Sequence, residues 1–176
     1  MSQNESAYHL RSISFAFQGL LAGIVLVFFS LANLDIGIFN VGFIFIPVAA
    51  ILFWPMGASY TWSLLCVFLL GLFYDMASAQ PLGIWAISYL VLFILLGKGV
   101  KVNIRFMNAL FGYILSVLFV AILAFILGLI ALGQWPNSGT MALGAVLSVL
   151  AFPLVFGLRW LANFILGRNM QQSVSP

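Results

Sequence analysis

Residues 107–132 read MNALFGYILSVLFVAILAFILGLIAL, 26 positions without an Asp, Glu, Lys, Arg or His. As an α-helix this stretch is about 39 Å long, more than the roughly 30 Å of hydrocarbon in a bilayer. The rest of the chain resembles it. Of 176 residues, 65% are hydrophobic and 5% charged, against roughly 45–50% and about 25% in soluble domains. Six Lys and Arg, three Asp and Glu and one His cannot solvate a globule of this size, so the solvent is a bilayer. The net charge of +3 comes from scattered single residues, too few to neutralise the phosphates that a nucleic-acid reader needs. The single cysteine, Cys66, sits in an apolar run, which excludes an intramolecular disulfide and a CxxC metal site.

Working outward from 107–132, five further apolar stretches predict spans over 12–32, 41–54, 58–75, 81–97 and 140–160. The reading is an all-α integral membrane protein of six transmembrane helices. A tail over 1–11 precedes a single membrane domain over 12–166, and a second tail follows over 167–176. Ser30-Leu31-Ala32 has the small-x-small form of a leader cleavage site, but the apolar core before it is about 20 residues, against 7–15 in a signal peptide. Residues 33–40, with Asp35 and Gly37, read as a loop. The segment 41–54 contains Pro47 and gives only about 21 Å of helix, so it is expected to be short or irregular where other helices cover it.

The cations orient this topology. Arg11 precedes the first span, Lys98, Lys101 and Arg105 fill the loop between the fourth and fifth, and Arg159 and Arg168 close the sixth. Six spans put all of them on one side, which the positive-inside rule makes cytoplasmic together with both termini. Asp35 and Asp75 fall on the opposite side. Trp54, Trp62 and Trp160 are then expected near the inner interface, and Trp85 and Trp135 near the outer one, as in an aromatic belt.

Little in the spans carries chemistry. Their middle thirds lack every charged side chain and His, so a buried proton relay has no members. His9 stands alone in the amino-terminal tail, no HExxH or GxSxG is present, and neither an enzyme, a metal site nor a cofactor is expected. Packing signals are more abundant: Gly19 and Gly23, Gly112 and Ser116, and Gly144 and Ser148 each place small residues four apart. Such pairs let helices approach within a bundle, and the same faces suit contact with another molecule, a second copy of the chain included. Polar candidates for a ligand are scattered over Gln18, Ser88, Asn108, Ser116 and Ser148.

The most informative corner is Gly71-Leu72-Phe73-Tyr74-Asp75-Met76-Ala77-Ser78-Ala79-Gln80-Pro81-Leu82-Gly83. An acid at a helix C-terminus opposes the dipole and calls for water, a partner donor or an amide of the following helix. Pro81 suits a first helical turn and Gly83 a close approach. The segment resembles the signature of the rod shape-determining protein MreD family, in which a helix ending in G-x-x-x-D turns into P-L-G. Gly71, Asp75, Pro81, Leu82 and Gly83 match, while Ala79 stands where the family usually has Gly. The size, the short loops, the basic stretch from Lys98 to Arg105 and the last span with Pro153 and Arg159 are also similar.

The resemblance implies a multi-pass protein of the bacterial plasma (inner) membrane, without catalytic residues, that binds the bitopic protein MreC. With MreB, RodA and penicillin-binding protein 2 it would help organise lateral peptidoglycan synthesis and cell shape. It also implies a compact bundle similar in fold to the substrate-specific S-components of energy-coupling-factor (ECF) vitamin transporters. That likeness supplies the rival expectation, a solute-binding subunit with a polar outer cavity.

Overall fold

A computed structural model describes residues 3–36, 39–55, 57–97, 106–133 and 138–172. Along the chain these form α1 (Gln3–Ser30), a hairpin of β1 (Asn33–Ile36) and β2 (Phe39–Gly42), α2 (Val48–Leu52), α3 (Tyr60–Ala77), α4 (Ile84–Leu96), α5 (Phe106–Leu132) and α6 (Ser138–Gln172). Leu10–Ser30, Tyr60–Ala77, Phe106–Leu132 and Ser138–Leu158 are each long and apolar enough to cross a membrane. Their outward faces are apolar as well: Leu21, Phe111, Ile122 and Leu150 are all more than 60% exposed. A helix hydrophobic on both its buried and its exposed face is solvated by lipid, so the chain is a helical membrane protein. α6 runs through Pro153, whose ring lies on the exposed side.

One expectation is corrected here and another is made specific. The loop expected over 33–40 is an antiparallel hairpin, with Asn33 paired to Gly42, Leu34 to Val41, Asp35 to Asn40 and Ile36 to Phe39; among the described residues the regular elements are therefore helices and this pair of strands. Extended backbone at the end of a bundle meets its hydrogen-bonding need by pairing with itself. The segment 41–54, expected to be short or irregular, is helical only over the five residues of α2. It nevertheless forms the centre of the molecule: Phe45, Ile46, Val48, Ala49, Ile51, Leu52 and Trp54 are all buried.

Irregular backbone at membrane depth is tolerated only where protein satisfies it, and here three helices do so. The Tyr74 hydroxyl of α3 donates to the carbonyl of Ile44 at 2.9 Å, and the Tyr113 hydroxyl of α5 donates to that of Phe45 at 3.0 Å. The Phe45 N–H donates to Ser148 Oγ of α6 at 3.0 Å, and that hydroxyl in turn donates to the Gly144 carbonyl at 2.7 Å. Tight turns add further bonds, with Ile46 N–H to Phe43, Val48 N–H to Phe45 and Ala50 N–H to the carbonyl of Pro47, which itself brings no donor. Ser148→Ala is expected to lower stability by about 1–3 kcal/mol, because it orphans the buried Phe45 N–H; thermal unfolding in detergent measures it.

The small residues are spent on this packing. A Cβ on Gly19 would meet the Trp54 ring at 3.0 Å, and one on Gly144 would meet Ile44 Cδ1 at 2.9 Å. A Cβ on Gly23 would lie 2.6 Å from Leu70 Cδ2, whereas one on Gly112 would find only Leu52 Cδ1 at 3.9 Å. Gly19, Gly23 and Gly144 thus face inward. Trp54 and Trp85 are buried too, 3% and 5% exposed, so they pack inside the protein and do not form the expected interfacial belt. Trp62 is 41% exposed, as that belt requires; Trp135 and the Trp160 side chain lie outside the described residues.

Candidate functional site at the α3–α4 corner

Asp75 is in the last turn of α3 and is fully buried. Its carboxylate accepts three backbone N–H groups of the following helix: Gly83 N at 2.8 Å and Ala86 N at 3.3 Å on Oδ2, and Trp85 N at 2.9 Å on Oδ1. Gly83 is the N-cap of α4, at φ 104° and ψ −16°. Asp75 therefore caps α4 from outside it. Among the alternatives its position left open, the amides of the next helix are the partner. A negative group at a helix N-terminus is favourable through both the free N–H groups and the dipole.

The same residue closes its own helix through its backbone. Gln80 N–H donates to the Asp75 carbonyl at 3.1 Å and Ala79 N–H to the Met76 carbonyl at 3.4 Å, the pair of bonds of a Schellman motif. Such a motif needs a left-handed residue at its C′ position, and Ala79 provides it at φ 53°. Ala79 thus takes the conformation a glycine would take, at a cost of about 1–2 kcal/mol. Ala79→Gly is expected to raise stability by about 1 kcal/mol, less than the full strain because glycine is more mobile when unfolded; the thermal midpoint reads it directly.

Gly71 fixes the approach of the two helices. A Cβ there would strike Ala86 Cα, with Ala86 N at 2.7 Å and the Trp85 carbonyl oxygen at 2.9 Å, all backbone atoms. Gly71, Asp75 and Gly83 therefore act as one unit: close packing, a cap and a left-handed N-cap. At the tip of the corner Leu82 is 70% exposed and Met76 73% exposed.

Comparison with protein-family models, curated proteins and solved structures gives no match. The corner is accordingly understood from its own geometry.

Beside it opens a cavity of about 610 Å³, bounded by the ends of α1, α3 and α5, the starts of α4 and α6, and β2. Its polar lining comes from Ser30, Tyr74, Ser78, Gln80, Trp85 and Thr140, and among the described residues no charged side chain lines it. The volume lies within the roughly 300–1,000 Å³ of small-molecule sites. The scattered polar candidates do not gather there. Ser88, Ser116 and Ser148 donate to carbonyls four residues back in their own helices, and Gln18 and Asn108 are exposed. The lining was missed because Ser30, the 74–85 corner and Thr140 are far apart in the sequence and meet only in the fold. Their common side in the predicted topology was the one signal in the sequence.

Among the described residues no three of His, Cys, Asp and Glu come together. Cys66 is free and buried. Lys98, Lys101 and Arg105 lie outside the described residues, as does the side chain of Arg159.

Proposed function

We propose that the chain is a non-enzymatic scaffold of the MreD type. It would cross the bacterial plasma membrane six times with both termini cytoplasmic, and bind MreC within the machinery of lateral wall synthesis. The observation that carries this reading is the corner, where the residues of the G-x-x-x-D and P-L-G resemblance serve a single construction. Asp75 engages both oxygens with backbone amides, so its role is to shape the corner, and the contact with a partner falls to the exposed Leu82 and Met76. The basic loop at 98–105 would face the MreB side, with RodA and penicillin-binding protein 2 as further members of the complex.

The cavity favours a second reading, a solute-binding subunit similar to the ECF S-components. One experiment separates the two: purification of the tagged chain from its native membrane in mild detergent, with mass spectrometry of proteins and small molecules. MreC and wall synthases at near-stoichiometric levels, reduced by Leu82→Ser without a change in thermal midpoint, are the expected result. A co-purifying ATPase with its coupling subunit, or a bound vitamin, would replace the scaffold with solute uptake.

A further inference from the structure

Gln18 is exposed on the outer surface of α1, close to the middle of its apolar stretch. At 1.5 Å per residue it stands about 12 Å from Leu10 and about 18 Å from Ser30, the two ends of that stretch. Both distances leave it within hydrocarbon. A primary amide offers two donors and an acceptor, and among the described residues no hydrogen bond reaches this side chain. Its short stem cannot carry the amide to the headgroups as a Lys or Arg stem would. An amide left unpaired in hydrocarbon costs several kcal/mol, so its partner has to come from outside the described residues.

The surroundings fit a second helix. Ser14 and Ala22, one turn to either side, are small and exposed, which allows another backbone to approach. Leu21 and Val25 are 62% and 66% exposed, and 14, 18, 21 and 25 follow the alternating spacing of four and three that lines the seam of a left-handed helix pair. The exposed residues of α5 from Phe111 to Ile130 and of α6 from Leu143 to Leu158 are aliphatic, aromatic, Gly or Pro, so the polar group at mid-depth is a feature of α1.

We propose that this face of α1 pairs with α1 of a second copy of the chain, the two Gln18 amides hydrogen-bonded to each other across a two-fold axis normal to the membrane. Such an axis keeps the helices parallel and sets each residue opposite its own equivalent at the same depth. An amide is self-complementary there, each N–H donating to the other carbonyl. Arg11 lies on the same side of α1, and its guanidinium is drawn over the Phe15 ring, 5.9 Å from the centroid. Phe15 lies about 60° around the helix from Gln18, which turns the like charges away from the seam.

The test is disulfide cross-linking of the full chain in native membrane vesicles, in a Cys66→Ala background. Leu21→Cys is expected to give a covalent dimer on mild oxidation, while Ile122→Cys on the exposed face of α5 stays monomeric. Adding Gln18→Leu removes both bonds of the amide pair and should weaken association roughly 10- to 1,000-fold, at about 3- to 30-fold for each interhelical hydrogen bond in a membrane. Because Gln18 is exposed, the thermal midpoint of the monomer, diluted in detergent until the dimer dissociates, should hold. No dimer from Leu21→Cys, equal dimer from Ile122→Cys, indifference to Gln18→Leu, or cross-linking to a different protein would each overturn the proposal. The last result would give the face to another helix and leave the scaffold reading standing.

Discussion

Asp75→Ala is expected to lower the stability of the folded chain by about 2–4 kcal/mol. The substitution leaves the N–H groups of Gly83, Trp85 and Ala86 without their acceptor. Each of the two short bonds is worth about 1.5–3 kcal/mol when the acceptor is charged, and water entering the vacated corner recovers part of the loss. Asp75→Asn should fall between, since one oxygen is kept while an NH₂ group is turned against a backbone donor. Thermal unfolding followed by tryptophan fluorescence in detergent is the measurement; a midpoint equal to that of the unmodified chain would show that the cap contributes nothing. The comparison with Leu82→Ser matters for function. Loss of partner recovery in Asp75→Ala together with a lowered midpoint reports the corner's shape, whereas loss in Leu82→Ser at an unchanged midpoint reports the contact.

Gly71→Ala should be of similar effect, at the upper end of the roughly 1–3 kcal/mol typical of overpacking, because the added carbon meets backbone that cannot rotate aside. Separating α3 from α4 also pulls Asp75, one turn later, away from the amides it caps. The double variant Gly71→Ala with Asp75→Ala should therefore lose less than the sum of the two. Gly23→Ala calls only for a new rotamer of Leu70, and Gly112→Ala for ordinary contact with Leu52. The expected order of destabilisation is thus Gly71, then Gly23, then Gly112, and a Gly71→Ala chain as stable as Gly112→Ala would contradict the account of the corner.

The long apolar helices were legible in the sequence because length and composition alone specify a helix that lipid can solvate. The corner was legible in kind, since an acid opposing its own helix dipole needs donors and a next helix was expected from Pro81, six residues further on; the helix itself begins later, at Ile84 behind its N-cap Gly83. Its mirror of a glycine at Ala79 was not, because alanine in a left-handed conformation is chosen by the surrounding bonds and not by its own preference. The centre of the molecule was hidden for a related reason. Nothing local in 43–54 names Tyr74, Tyr113 or Ser148 as hydrogen-bonding partners, and periodicity cannot describe a segment held by side chains 30, 68 and 103 residues away. Trp54 and Trp85 were assigned to the interface by depth alone, which does not say which side of a helix they occupy.

Those three separations also set a timetable for biosynthesis. At roughly 5–20 residues per second, Tyr74 is made about 2–6 s after Ile44, Tyr113 about 3–14 s after Phe45, and Ser148 about 5–20 s after Phe45. Until then the Phe45 N–H lacks its Ser148 acceptor and the Ile44 and Phe45 carbonyls lack their tyrosine donors, and the segment cannot settle among lipid tails. The nascent chain must hold 43–54 in water, in the insertion channel or against a chaperone while α3, α5 and α6 arrive. A ribosome stalled before Ser148 should display this segment to proteases or thiol reagents that the finished protein excludes.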